Sequence, residues 1–173
     1  MNLFEDNILR IHKDKGKDWL SCLPQIVARA AQKYDLHDLI PVNNMSYNYV
    51  LSGFQKNQPI ILKLGLDVEG LKREAATLKA FSKFGAVHVF KENTGLLLLE
   101  RAIPGLTLKT CPSSLEAISI TCELMKKLHQ APIPQDVSFP HMKDWLAVLD
   151  QDWDIPILYL EKARQFRGNF EII

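Results

Sequence analysis

The sequence predicts an α+β fold: an antiparallel five-stranded front half with one inserted helix, followed by a helical back half. Two patterns carry this. Between Leu39 and Glu100, short aromatic, β-branched and leucine-rich runs recur with turn residues between them, and a single long amphipathic run interrupts them. Beyond Pro104-Gly105 no strand-like run follows, and apolar residues recur at spacings of three and four instead. The boundary is placed there, giving residues 1–103 and 104–173.

The first element is a helical region over Lys17–Leu36, in which Leu20, Leu23, Val27, Ala30, Ala31 and Tyr34 form one stripe. Pro24 is expected at its start, because proline suits a first turn and breaks a helix interior. Asp35–Asp38 ends the pattern. The leading residues, MNLFEDNILRIHKDKGKD, read as polar and acidic ahead of any apolar stretch, unlike a secretory signal.

Leu39–Phe54 reads as two strands around the polar turn NNMS. In the second, Tyr47, Tyr49 and Leu51 alternate with Asn48, Val50 and Ser52. Pro59 opens a third strand, PIILKL, in which Ile60, Leu62 and Leu64 share one face and Ile61 and Lys63 the other. A helix follows around Leu71–Phe81. At about 100° per residue, Glu74 falls between Leu78 and Phe81, inside the apolar stripe, whereas Lys72, Arg73 and Lys79 lie at its margin. A carboxylate on a buried face is costly unless paired, and Lys63 is the nearest lysine able to answer it from inside the sheet. The pair reads either as an ordinary ion pair at a strand–helix junction or as an ammonium presented to phosphates.

Gly85 stops the helix. Ala86–Phe90 and Leu96–Glu100 are strands about a turn at Lys91–Gly95, and connections this short favour antiparallel pairing. In the back half, Ser113 and Glu116 form a capping box ahead of a helix that buries Ile118, Cys122, Met125 and Leu128–His129. Asp144–Leu149 is a short helix, and Pro156 begins the last one. The run from Phe170 to Ile173 reads as a strand or core segment.

Bulk properties exclude several classes. A chain of 173 residues that is 47% hydrophobic, with net charge +1, fits a soluble globular protein and carries no basic field for nucleic acid. Runs such as Leu96–Leu99 are too short to span a membrane. Three scattered cysteines (Cys22, Cys111 and Cys122) make no disulfide framework and suggest a reducing cytoplasm. There is no P-loop, dinucleotide fingerprint, H-E-x-x-H or G-x-S-x-G. The five histidines are dispersed, without metal-ligand spacing. Asp150, Asp152, Asp154 and Glu161 have calcium-loop spacing, but Ile155 stands where glycine is required, so an acidic turn is the reading, or a surface attracting a cationic substrate. The turn Asn43–Asn48 is a plain surface turn or a set of backbone N–H groups, with the Ser46 hydroxyl, facing a phosphate.

Taken together these residues resemble the aminoglycoside phosphotransferase group of small-molecule kinases, most closely its streptomycin 6-kinase and hydroxyurea phosphotransferase branch. The resemblance runs in order: Trp19-Leu20 with Leu23-Pro24 and the helix to Tyr34; Ser46–Val50; Ile61–Leu64; Arg73-Glu74-Ala75 with Leu78; Leu97–Arg101 with Pro104-Gly105 and Leu108; and Leu128-His129 before Pro132. It implies a protein-kinase-like fold, with a nucleotide-binding front lobe and the beginning of a helical C-terminal lobe. It also implies that Lys63 contacts ATP phosphates and Glu74 orients it. Ser46, Tyr47 and Asn48 would lie over the phosphates, and the backbone of Glu100, Arg101 and Ala102 would bond adenine. The reaction would move the ATP γ-phosphoryl group to a hydroxyl of a small polar or cationic molecule, with Mg²⁺ neutralising charge. Choline- or fructosamine-type kinases, and a non-catalytic nucleotide-binding module, are the alternatives.

The chain departs from the group in one respect. The loop H-G-D-[LW]-H-x-x-N and the later metal-binding aspartate do not occur in it. The expectation is therefore that this polypeptide holds no base or metal ligand and is inactive alone. Exposed apolar surface, with self-association through Ile155–Ile173, is expected to follow.

Overall fold

The computed structural model describes residues 3–170, and side chains within 3–168. The chain divides into two compact units, Met1–Val137 and Ser138–Ile173.

The first unit is built on a five-stranded antiparallel sheet, ordered β1-β2-β3-β5-β4. Its strands are β1 (Leu36–Pro41), β2 (Tyr49–Gln55), β3 (Gln58–Leu64), β4 (Val89–Asn93) and β5 (Leu96–Glu100). β3 sits centrally and pairs with β2 and β5, so that Lys63 lies opposite Val50 on one side and Leu97 on the other. The sheet's two faces have different partners. Ile60, Leu62 and Leu64 are fully buried against the helix α1 (Leu3–Tyr34), in a core shared with Leu51, Leu98, Leu23 and Ala30. The opposite face carries Ile61, Leu97, Leu99 and Val89, packed on Leu71, Ala75 and Leu78 of α2 (Val68–Phe81). The alternation read in β3 is the one observed, and it sends Lys63 to the α2 face.

The N-terminal region corrects the sequence reading. The helix does not begin at Pro24. It begins at Leu3 and breaks at Lys13, where φ is 50° and ψ −126°. Fifteen residues of straight helix span about 22 Å, yet the rings of Phe4 and Trp19 lie 6.2 Å apart. The arm of residues 3–12 therefore folds back on the arm of residues 14–34. Gly16 permits the contact, because a Cβ there would come within 2.7 Å of the Ile8 carbonyl oxygen. The segment judged polar thus buries Phe4 and Ile8. Pro24 sits inside the second arm, where it cannot donate to Leu20. Burial of Leu23 and Ala30 on the sheet outweighs that lost bond.

Other boundaries shift too. β1 starts at Leu36, within the stretch read as a break. Asp35 and Asp38 take φ near 53°, and a bulge between His37 and Ile40 accommodates the irregularity. β4 is Val89–Asn93 rather than Ala86–Phe90, and the turn shrinks to Thr94-Gly95. His88 lies before that strand. Its N–H donates to the Glu100 carboxylate at 3.0 Å, which replaces a ladder bond with a side-chain bond.

The unit ends with α3 (Ser114–Leu128). Ser113 caps it by accepting from the Glu116 N–H at 3.3 Å. The Glu116 carboxylate approaches Cys111 instead of returning to the cap, so the box is half made. The burial expected of α3 does not occur: Ile118 and Met125 are 59% and 50% exposed, and no residue of the helix is buried.

The second unit contains α4 (Met142–Leu146), a 3₁₀ turn over Ala147–Asp150, and α5 (Ile157–Phe170). The helix expected at Asp144–Leu149 therefore starts two residues earlier and tightens after one turn. His141 caps α4 in a reciprocal box with Asp144. Arg164 donates to the Leu149 carbonyl and Arg167 pairs with Asp150 at 2.7 Å, which ties α5 to the 3₁₀ turn. Leu160 is buried; Ile155, Ile157, Leu158 and Tyr159 are exposed. Of the segment Phe170–Ile173, the Phe170 side chain and residues 171–173 lie outside the described residues.

Candidate functional site

The strand β3 offers one cationic side chain, and the helix α2 meets it. Asp67 caps α2 by accepting from the Gly70 N–H at 2.8 Å, which fixes the helix register over the sheet. That register sets Glu74 one turn beyond Leu71, beside the buried Ala75. Lys63 Nζ then donates to both carboxylate oxygens, at 2.8 and 2.6 Å. The two side chains are 20% and 33% exposed, so the pair is shielded but not sealed. An ammonium has three donors. Two are spent on Glu74, and the third has no hydrogen-bond partner among the described residues.

The turn between β1 and β2 lies at the same end of the sheet. Val42 donates to the Val50 carbonyl at 3.0 Å and closes it, and Met45 Sδ accepts from the Val50 N–H at 3.2 Å. Ser46, Tyr47 and Asn48 form its second limb. Tyr47 is exposed, and Asn48 packs on Gly65 just past Lys63; a Cβ on Gly65 would fall on the Asn48 amide oxygen. Glycine is therefore what lets the turn reach the end of β3. From the other side, the buried Asn7 of α1 donates to the Ser46 carbonyl at 3.0 Å.

Glu100 lies at the far end of β5 and pairs with Ile60, three positions along β3 from Lys63. That separation is about 10 Å at the usual rise of a strand. The Glu100 N–H donates to the His88 carbonyl at 2.8 Å, and Arg101 reaches the Pro59 carbonyl at 3.4 Å. No backbone acceptor takes the Ala102 N–H among the described residues. A cleft of ≈ 510 Å³ lies beside this segment, lined in part by Pro59, Val87, Glu100 and Ala102.

Residues 37–153 match the family model of the aminoglycoside/hydroxyurea antibiotic resistance kinases. The match covers about two thirds of the chain. The chain belongs to that family. A search of curated proteins returned no match.

All eight residues singled out from the sequence fall inside the matched span and inside the first unit. Lys63 and Glu74 are brought together. Asn48 packs on Gly65, two positions beyond Lys63, and Ser46 and Tyr47 precede it in the same turn. Glu100, Arg101 and Ala102 stand at the opposite end of β3, in the backbone arrangement described. In the acidic turn, Asp150 is bound to Arg167. Among the described residues no group of three or more His, Cys, Asp or Glu is placed to hold a metal ion. No described helix is long and apolar enough to cross a membrane.

Two contributors escaped sequence reading. Asn7 was passed over with the polar N-terminal segment, although Phe4, Ile8 and Ile11 around it keep the helical spacing that could have found it. Gly65 carries no sequence signal of its own, because its role depends on a side chain seventeen residues earlier.

Proposed function

We propose that this chain is the nucleotide-binding part of an ATP-dependent phosphotransferase that modifies a hydroxyl of a streptomycin-type aminoglycoside. The observation that supports it is the Lys63–Glu74 pair on the α2 face of a family-matched sheet. Glu74 holds the ammonium in place, and its third N–H would meet an ATP phosphate oxygen. Backbone N–H groups of the Ser46–Asn48 turn would meet the same phosphates. The Glu100 carbonyl and the Ala102 N–H would bond the adenine edge, about 10 Å away along β3. Residues 1–103 form this lobe in the proposal, and 104–173 begin the next. Three free cysteines support a reducing cytoplasm as its place.

Such an arrangement positions phosphates and offsets their charge, which is the protein's main task in phosphoryl transfer. ATP supplies the phosphoryl group. The 173 residues contain no His-Gly-Asp, so the base that takes the acceptor's proton would come from outside them. Calorimetric titration with ATP tests the reading. Wild-type protein is expected to bind ATP, and Lys63→Ala to bind it at least tenfold more weakly, the loss of one charge-assisted hydrogen bond. Equal affinities would overturn it. Incubation with γ-labelled ATP and streptomycin is expected to leave the drug unlabelled when this chain acts alone.

A further inference from the structure

We infer that Asn7 is a positioning residue of the phosphate-facing turn: it sets the Ser46–Tyr47 peptide so that the Tyr47 N–H serves as an anion donor. The inference rests on the nucleotide reading above and adds a residue outside the family-matched span.

Asn7 is the one buried polar side chain among the described residues. A buried amide is costly unless bonded. This one spends its N–H on the Ser46 carbonyl, 39 positions away at 3.0 Å, rather than on its own helix. Its oxygen takes a long 3.4 Å bond from Arg10. In a planar trans peptide the C=O and the following N–H point in opposite directions. The Ser46 carbonyl is drawn toward α1, so the Tyr47 N–H points away from α1. The face of the sheet away from α1 is the one that carries Lys63. No backbone acceptor takes the Tyr47 N–H among the described residues.

The rest of the turn is held by other means: Val42 to Val50, Met45 to Val50, and Asn48 against Gly65. None of these fixes the 46–47 peptide plane. Among the described residues only Asn7 hydrogen-bonds this peptide, and without that donor the peptide is free to flip.

The test uses the whole chain, titrated calorimetrically with ATP, adenosine and inorganic tripolyphosphate. Asn7→Leu keeps the side-chain size, removes the donor and adds no charge. The expected result is affinity for ATP and tripolyphosphate reduced about tenfold, with adenosine unchanged. A variant that binds all three as wild type does, or loses all three equally, overturns the inference and assigns Asn7 a structural role. A measurement on unmutated protein stands beside it: the Tyr47 amide resonance is expected to shift on adding tripolyphosphate, and an unmoved resonance also overturns the proposal. If wild-type protein binds neither ATP nor tripolyphosphate, the nucleotide reading itself fails and this inference falls with it.

Discussion

Lys63 and Glu74 are joined through both carboxylate oxygens across the β3–α2 interface, at 2.8 and 2.6 Å. Lys63 shares a sheet face with Ile61 and lies opposite Leu97, and the carboxylate interrupts a stripe otherwise made by Leu71, Ala75 and Leu78.

This coupling is measurable. The pair is partly exposed, so its mutual energy is expected at about 1 kcal/mol rather than the larger values of sealed pairs. A double-mutant cycle of Lys63→Met and Glu74→Gln in urea should return that coupling, and additive singles would contradict it. Glu74→Gln is also expected to weaken ATP binding without touching the ligand, because the ammonium loses its anchor.

Gly65→Ala probes how the turn meets β3. The new methyl falls on the Asn48 amide oxygen, so the turn must retreat. The expected cost is about 1–3 kcal/mol, the range for overpacking a fitted contact. Asn48→Ala should recover most of it in the double variant, because the obstructing group is then gone. Melting curves of the three variants decide this, and an unrecovered double variant would place the strain elsewhere.

Much of the front half was legible because its physics is local. Strand alternation placed Lys63 opposite the Ile60, Leu62 and Leu64 face, and the helical wheel placed Glu74 in the stripe that covers Lys63. Those two periodicities, of 2 and 3.6, sufficed to bring the pair together. What was not legible depended on distant packing. Pro24 was read as a helix start by propensity, and burial of Leu23 and Ala30 overrode it. Asn7 gained its place from a fold-back that turns on Lys13, a residue whose type favours no such conformation. In α3 the apolar period correctly gave a helix, but periodicity states which face is apolar, not whether anything covers it.

The imidazole of His37 gives a pH-dependent prediction. Its Nδ1 faces the Asp38 carboxylate at 3.0 Å and its Nε2 the Lys56 carbonyl at 2.7 Å. Both partners accept, so only the doubly protonated ring satisfies them together. The Asp38 carboxylate first, and the Lys56 carbonyl second, raise the His37 pKa above its usual 6.5. A raised value means that the fold favours the charged form. The stabilisation is therefore fully present below about pH 6.5 and is lost as pH rises through the higher folded value. Proton NMR titration of the ring should show the raised midpoint, and Asp38→Asn should lower it. A midpoint unmoved by that change would remove the carboxylate as the main cause.

The N-terminal arm yields the last prediction, because the sequence had assigned it no core. Phe4 is 3% exposed, and its ring meets Trp19 at 6.2 Å and Tyr49 at 5.6 Å, so it bridges both arms of α1 and the start of β2. Truncation to alanine removes contacts on both sides at once and leaves a cavity that two helical arms and a strand cannot readily close. The expected loss is about 3–5 kcal/mol, the range for deleting a buried phenyl ring. Ile11 lies on the same arm but is 48% exposed, and Ile11→Ala should cost about 0.5 kcal/mol or less. Urea unfolding of the two variants separates an integral arm from an appended one. Equal, small losses in both would mean that residues 3–12 do not belong to the core. The turn at Ser46 shares this dependence, since Asn7 sits between Phe4 and Ile8 on the same buried face. Phe4→Ala is accordingly expected to weaken ATP binding as well as stability, whereas Ile11→Ala should change neither.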